Sequence, residues 1–374
     1  MNPPAKRNVL LLLLWLAATT ACACKLPVFR YALERWTVDR YRIVAIVDQQ
    51  QTDSAREALA ELQSQAGSSA NVDVEIIDLS KLSEEDFWQL EEMDDETETP
   101  RLQVFYPQRN GQRKKCWEGE LTPGAVRQWF DSPLRQQIAH DIVSGVSVVW
   151  LMVDGLDDQQ NQRIADQAES ALANATAKIT IPEGVIPRQD ANRYLREHPG
   201  ASMEDVLRSD VPLKVDFQLR RLARDNENEA TLRAMIGGFA GQTDQALLVP
   251  IFGRGRMLDA IGSESFDEQA ILHACRYMVG ECSCTVKALN PGVDLILNVD
   301  WGEQLGQSVV VVDHIPSSEP ALLAIPGGNR LSEQYEVSSR PMSNVWINGL
   351  CVLAIAALGY TLYRWALNRI REHA

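Results

Sequence analysis

Near the end of the folded body, His273, Cys275, Cys282 and Cys284 form a His-x-Cys-x6-Cys-x-Cys pattern. Thiolate and imidazole ligands at such spacing suit a soft metal, zinc or Cu(I). The same thiols suit thiol-disulfide exchange, which needs an attacking thiolate and a resolving thiol. The competing chemistry is structural. With Cys116 these cysteines make an even set of four with three possible pairings, and at least one structural disulfide is the favoured reading. A Cys-x-Cys pair is an awkward partner for itself, so Cys275 is expected to join Cys282 or Cys284. Neither a metal nor a cofactor is expected.

The other candidates are weaker. Arg254 and Arg256, in Gly-Arg-Gly-Arg, offer two guanidinium groups on a turn that an anion could use, against a plain hairpin whose arginines pair with the acidic body. Glu91, Glu92, Asp94, Asp95, Glu96 and Glu98 lack calcium-loop spacing and read as a solvated acidic loop. Asp313-His314 has no nucleophile in a motif beside it, so no catalytic residue is assigned.

The elements that must position these groups come in two similar runs. In the first, residues 41–47 are an apolar strand, and Asp53 caps a helix over 54–65. Residues 72–79 are a strand, and a second helix is expected over 87–93. Pro100 precedes a strand at 101–106, Asn110-Gly111 is a hairpin turn, and 113–118 is the returning strand. Gly119 and Thr122-Pro123 then open a helix carrying Val126, Trp129 and Phe130. Residues 24–40 carry a helical spacing ahead of all this.

The second run repeats the plan: a helix at 133–144, a strand at 146–153, and a helix capped by Asp157. A Pro-rich, charged insertion at 182–210 follows, then a strand at 213–222 and a helix at 228–235. Pro250, a strand, the Gly-Arg-Gly-Arg turn, a strand at 257–261 and a helix at 266–278 capped by Ser263 or Ser265 complete it.

Both runs resemble the thioredoxin fold, whose third strand follows a cis proline. That resemblance implies α/β architecture in two tandem thioredoxin-like domains, each a mixed sheet with flanking helices, with Pro100 and Pro250 as cis-proline candidates. It departs from redox-active members at both first-helix starts. Those read Thr52-Asp53-Ser54 and Leu156-Asp157-Asp158, with no Cys-x-x-Cys. The phrases PVFRYALERW, PIFGRGR and GECSCTVKALNPG resemble those of an uncharacterised group of exported bacterial membrane proteins, and that resemblance supplies no activity.

At 374 residues and 45% hydrophobic the chain is long enough for two domains. Its net charge of −15, with basic residues gathered at both ends, leaves an acidic body that repels phosphate backbones, so no nucleic acid partner is expected. Lys6-Arg7, an apolar run at 9–18 and small residues to Ala23 make an export signal, residues 1–23. Cys24 would then be the first residue, and lipidation there, plain secretion and an uncleaved anchor all remain open. Residues 344–365 read as one transmembrane helix, and Arg364, Arg369 and Arg371 set the tail 366–374 in the cytoplasm.

The expected layout is domain 1 at 24–132, domain 2 at 133–280, a small β extension at 281–315 laid on domain 2, and a linker at 316–343. The expected localisation is the cell membrane with a periplasmic body. The expected function is a non-catalytic, membrane-anchored module that binds a protein partner or scaffolds a membrane assembly. The alternative is an oxidoreductase or soft-metal delivery protein using Cys275, Cys282 and Cys284.

Overall fold

The computed structural model describes residues 23–48, 52–81, 99–108, 112–199, 201–241, 244–263, 266–283, 287 and 292–306. Residues 1–315 form one compact unit, and residues 316–374, a second unit, fall outside this description. The export signal, the acidic loop, the helix at 87–93, the Asn110-Gly111 turn, Cys284, the strand at 308–312, His314, the linker and the transmembrane segment therefore lie outside the described residues. Among those described, no helix is long and apolar enough to cross a membrane.

The protein is mixed α/β. β1 (Ala23–Pro27) and α1 (Val28–Arg35) lead into β2 (Tyr41–Val47), α2 (Asp53–Gln65), β3 (Val72–Asp78), β4 (Arg101–Phe105), β5 (Lys115–Glu120) and α3 (Pro123–Phe130). Then come α4 (Pro133–Val143), β6 (Val148–Val153), α5 (Asp158–Lys178), α6 (Ala191–Glu197), β7 (Phe217–Leu222), α7 (Ala230–Ala240) and β8 (Leu247–Phe252). β9 (Arg256–Met257), β10 (Ile261–Gly262), α8 (Glu268–Val279), β11 (Glu281–Ser283), β12 (Val293–Asp294) and α9 (Trp301–Gln304) follow.

Helix starts follow local chemistry. Thr52, Thr122, Asp157 and Asp267 each accept a bond from an otherwise orphaned amide of the first turn. Asp53, expected as the cap of α2, is instead its first residue, and Ser263 or Ser265, expected for α8, give way to Asp267 because α8 starts later. The Asp267 carboxylate suits the positive end of the helix as well as the amide.

Two sheets have the same wiring. The first is ordered β3-β2-β4-β5 and the second β12-β9-β8-β6-β7, with β10 also on β8. In each, the first strand pairs parallel with the second and antiparallel with the third, which pairs antiparallel with the fourth. Alternation does the sorting. Val149, Leu151, Val249 and Ile251 face one core, and Val148, Trp150, Met152 and Leu248 face another.

The first of those cores crosses residue 132. Tyr41, Ile43 and Ala45 of β2, Ala58 and Leu62 of α2 and Trp129 of α3 share it with Ile138 of α4, Val149 and Leu151 of β6 and Met235 of α7. The expected boundary between 132 and 133 is thus not a boundary of packing. The N-terminal arm moves the boundary further: Val28, Phe29 and Ala32 of α1 pack with Trp150 of β6 and Ile271 and Cys275 of α8. Residues 23–35, expected in the first domain, pack with the second. α1 offers a small apolar stripe that fits against a sheet face, and Val28 N donates to Gly280 O at 3.0 Å to fix it there.

The β extension also differs from its expectation. Only Val293 and Asp294 are strand in the segment expected to be extended over 293–301, which ends instead in α9. It does not lie on the second half alone. Leu297 N donates to Asn71 Oδ1 at 3.0 Å, Ala70 bridges Asn298, and the buried Arg135 donates to Ile296 O at 3.0 Å. Polar groups from both halves thereby satisfy a segment with little ladder of its own.

Candidate functional site

Among the described residues His273, Cys275 and Cys282 do not gather as a ligand set, and Cys284 lies outside them. Residues two apart on a helix point about 200° apart, so α8 buries Cys275 against Trp150 and leaves His273 exposed on its other side. Burial pushes the Cys275 thiol up to about 12, with only partial relief from the Trp150 indole. Cys116 is on β5, pushed up to about 11 by burial, which outweighs its bond with Tyr106 and the nearby Lys114 charge. Cys24, Cys116, Cys275 and Cys282 form no disulfide with one another. Among the described residues no three metal-ligating side chains gather.

Cys282 finds a different neighbour. In the antiparallel pair of β1 and β11, Cys282 stands directly opposite Cys24. Both are buried, at 1% and 8% exposure. The Cys24 thiol donates to Glu204 O at 3.1 Å and accepts from Leu26 N at 3.4 Å. Nothing in local sequence pattern gives this pairing, because β1 and β11 sit at opposite ends of the body.

The arginine candidates are committed to internal partners. Gly253 and Gly255 take φ of 62° and 99°, which makes the turn a tight hairpin. Arg254 Nε donates to Leu33 O at 2.8 Å, holding the end of α1. Arg256, 4% exposed, bridges Asp39 at 2.6 Å and Asp294 at 3.3 Å. The anion reading is therefore corrected, since a buried guanidinium already between two carboxylates has no place for a further anion.

Thr99–Pro100 is the cis peptide among the described residues. Pro250 corrects its expectation: its peptide is trans and it lies inside β8 opposite Trp150. On the side of β8 away from β6, β10 ends at Leu248 and β9 begins at Ile251. Pro250 O accepts from Leu258 N at 3.2 Å on that side, so the missing N–H of Pro250 falls where the ladder is already interrupted.

The two corresponding strand ends carry carboxylates. After β2, Asp48 accepts from Thr99 Oγ1 at 2.8 Å, tying the strand end to the residue before Pro100. After β6, Asp154 accepts from Arg221 Nε at 2.7 and 3.0 Å. Leu156 N then donates to Asp244 O at 2.8 Å. That approach needs Gly155, where a Cβ would come within 2.6 Å of the same oxygen.

A cleft of about 1080 Å³ opens beside the second strand end. Lys114, Cys116 and Trp117 of the first half line one side, and Asp154, Arg224, Arg233 and Asp244 of the second line the other. Its charges are engaged: Lys114 donates to Gly238 O at 2.9 Å, Arg233 to Asn226 O at 2.6 Å, and Arg224 lies 3.6 Å from Asp244. Its thiol is the one held near 11. What remains is a mixed-charge, partly apolar concavity between the two halves. Sequence reading missed it, because its walls come from strands and helices far apart in the chain. No family model matches the chain, and no curated protein matches it.

Proposed function

We propose that the protein is a membrane-anchored, extracytoplasmic binding module of two tandem thioredoxin-like domains without thiol-disulfide activity. The shared strand order of the two sheets and the cis Thr99–Pro100 peptide ahead of β4 support the fold part of this reading. The apolar stretch 345–362 followed by Arg364, Arg369 and Arg371 supports the anchor. The cleft between the halves is the surface proposed to receive a protein partner.

One observation carries the non-catalytic part. A thioredoxin-type enzyme needs a low-pKa thiol at a helix start, where the helix dipole stabilises the thiolate. Both starts here carry carboxylates, Asp53 in α2 and Asp157 with Asp158 in α5. Cys24, Cys275 and Cys282 are buried, and Cys116 is half-buried with a raised pKa. Thiols so placed attack an external disulfide slowly near neutral pH, which permits a single oxidation event and not repeated turnover.

The test is turnover of a model disulfide by the purified protein. No rate above a denatured control is expected, and Cys282→Ser should leave that result unchanged. Turnover lost in Cys282→Ser and kept in Cys116→Ser would establish the oxidoreductase instead. Topology has its own test, in which protease outside intact spheroplasts should degrade the body and spare a tag placed after Ala374. A protected body would contradict export.

A further inference from the structure

Two cysteines that sequence reading separates, one beside the export signal and one after the last long helix, meet in the fold. Opposite residues of an antiparallel pair have Cα atoms about 4.5–5.5 Å apart, within the span a disulfide bridges. Cys24 and Cys282 are such a pair. Tyr31 packs against the cluster of Cys24, Leu26 and Leu207 and also against the separate cluster that contains Cys282, so one ring borders both cysteines. Cys275, the partner expected from spacing, belongs to the same apolar cluster as Cys282, but it lies in α8 and is not in that strand register.

We propose that Cys24 and Cys282 form a disulfide in the exported protein, closing β1 onto β11. The inference rests on the extracytoplasmic reading above, because disulfides persist in oxidising compartments. The oxidant is another disulfide, of a small thiol such as glutathione or of a protein. One cysteine thiolate attacks it to form a mixed disulfide and releases one thiol; the second cysteine attacks the mixed disulfide and releases the other. Cys24 and Cys282 together lose two electrons, the oxidant's sulfur-sulfur bond gains them, and the two thiol protons end on the two released thiols.

The bond has two consequences. It fixes the arm of residues 23–35 to the second half at the arm's outer end, where Lys25 N also donates to Asp205 Oδ1 at 2.7 Å. It also excludes lipidation of Cys24, since the same sulfur cannot carry a thioether, and acyl chains would have to leave a site only 8% exposed.

The test uses the full chain taken from membranes, with free thiols blocked at lysis, and tryptic mapping without reduction. The expected product is a peptide ending at Lys25 joined to the peptide 277–287, retained in Cys284→Ser and lost in Cys282→Ser. In a second arm the detergent-purified chain is reduced and then exposed to oxidised glutathione. The wild-type chain should lose two titratable thiols with formation of the same linked peptide, and Cys24→Ser should not form it. Cys24 recovered with a lipid, or Cys282 joined to Cys275 or Cys284 in both arms, overturns the pairing. Absence of the linked peptide in the glutathione arm also overturns it. A link that forms with glutathione and is absent from the cell-derived chain keeps the pairing and contradicts export.

Discussion

Each half of the body places a carboxylate just past its first strand, and the two are finished differently. Asp48 is held by the neutral Thr99 hydroxyl beside a cis peptide. Asp154 is held by the Arg221 guanidinium, and the chain beyond it is pinned by the Asp244 carbonyl. The second strand end thus engages an arginine and close backbone packing, and the first engages a neutral hydroxyl among its contacts. The second sheet has α1, α5 and α8 on one face and the shared core on the other, and among the described residues Val44, Ile46, Ile77 and Phe105 of the first sheet cluster with Leu79. Two copies of one topology need not be two independent bodies: here the second half borrows its N-terminal helix from the chain ahead of the first.

The largest effect is expected where the halves share side chains. Trp129 is fully buried in the core that both contribute to, and Trp129→Ala should cost about 3–5 kcal/mol. Denaturant unfolding followed separately in each half should show equal shifts. A shift confined to the first half would break the shared-core reading.

The borrowed helix should give the next effect. Arg30 and Glu34 of α1 form an ion pair at 2.9 Å with side chains at 1% and 0% exposure, and Glu34 also accepts from Ser209 N at 3.0 Å. Burial pulls the Arg30 pKa down, with Glu34 opposing that pull. Removing the carboxylate leaves a buried cation uncompensated, so Glu34→Ala should cost about 3–5 kcal/mol, and Arg30→Met with Glu34→Leu much less. Equal losses in the single and double variants would show that the pair is not coupled.

The strand-end comparison predicts smaller numbers. Asp154→Asn weakens a pair whose arginine is 39% exposed, and should cost about 0.5–1 kcal/mol that shrinks in high salt. Thr99→Val should cost about 1 kcal/mol with no salt dependence. Matching salt behaviour at the two sites would erase the distinction between them.

The smallest effect is a pH dependence in the first half. The Glu118 carboxyl pays for burial, yet its bonds to Lys115 and Arg101 outweigh that and hold its pKa below the usual carboxylate range. A pKa lower in the folded than in the unfolded chain gives stability that is present above the unfolded value, about 4.3, and lost as pH falls through the folded one. Glu118→Gln should therefore cost under about 1 kcal/mol at pH 7 and less at pH 3. A cost that grows at pH 3 would reverse the sign.

Much of the element order was legible because its signals are local. Thr122 and Asp157 announce their helices by type, whereas the cap expected at Asp53 is in fact Thr52, and the apolar runs at β2 and β6 announce central strands. Pro250 misled because its place in a repeated pattern implied a cis bond, whereas the actual determinant was a gap between β9 and β10 on a neighbouring strand. Three things were out of reach for one reason. The packing of α1 into the second half, the register of Cys24 with Cys282, and the cleft between Lys114 and Asp154 all join segments remote in sequence, and periodicity carries no information about which remote face a segment meets. For the hairpin arginines residue type offered both an anion site and a paired hairpin, and the carboxylates beside Arg256 come from segments remote in sequence.

The central claim is that the two halves are one cooperative body joined by a common core and a crossed N-terminal arm. Scanning calorimetry of the full chain in detergent tests it most directly, by comparing the calorimetric enthalpy of the body's unfolding with the van't Hoff enthalpy. A single transition with the two enthalpies equal is the expected result. Two resolved transitions, one for each half, would contradict it.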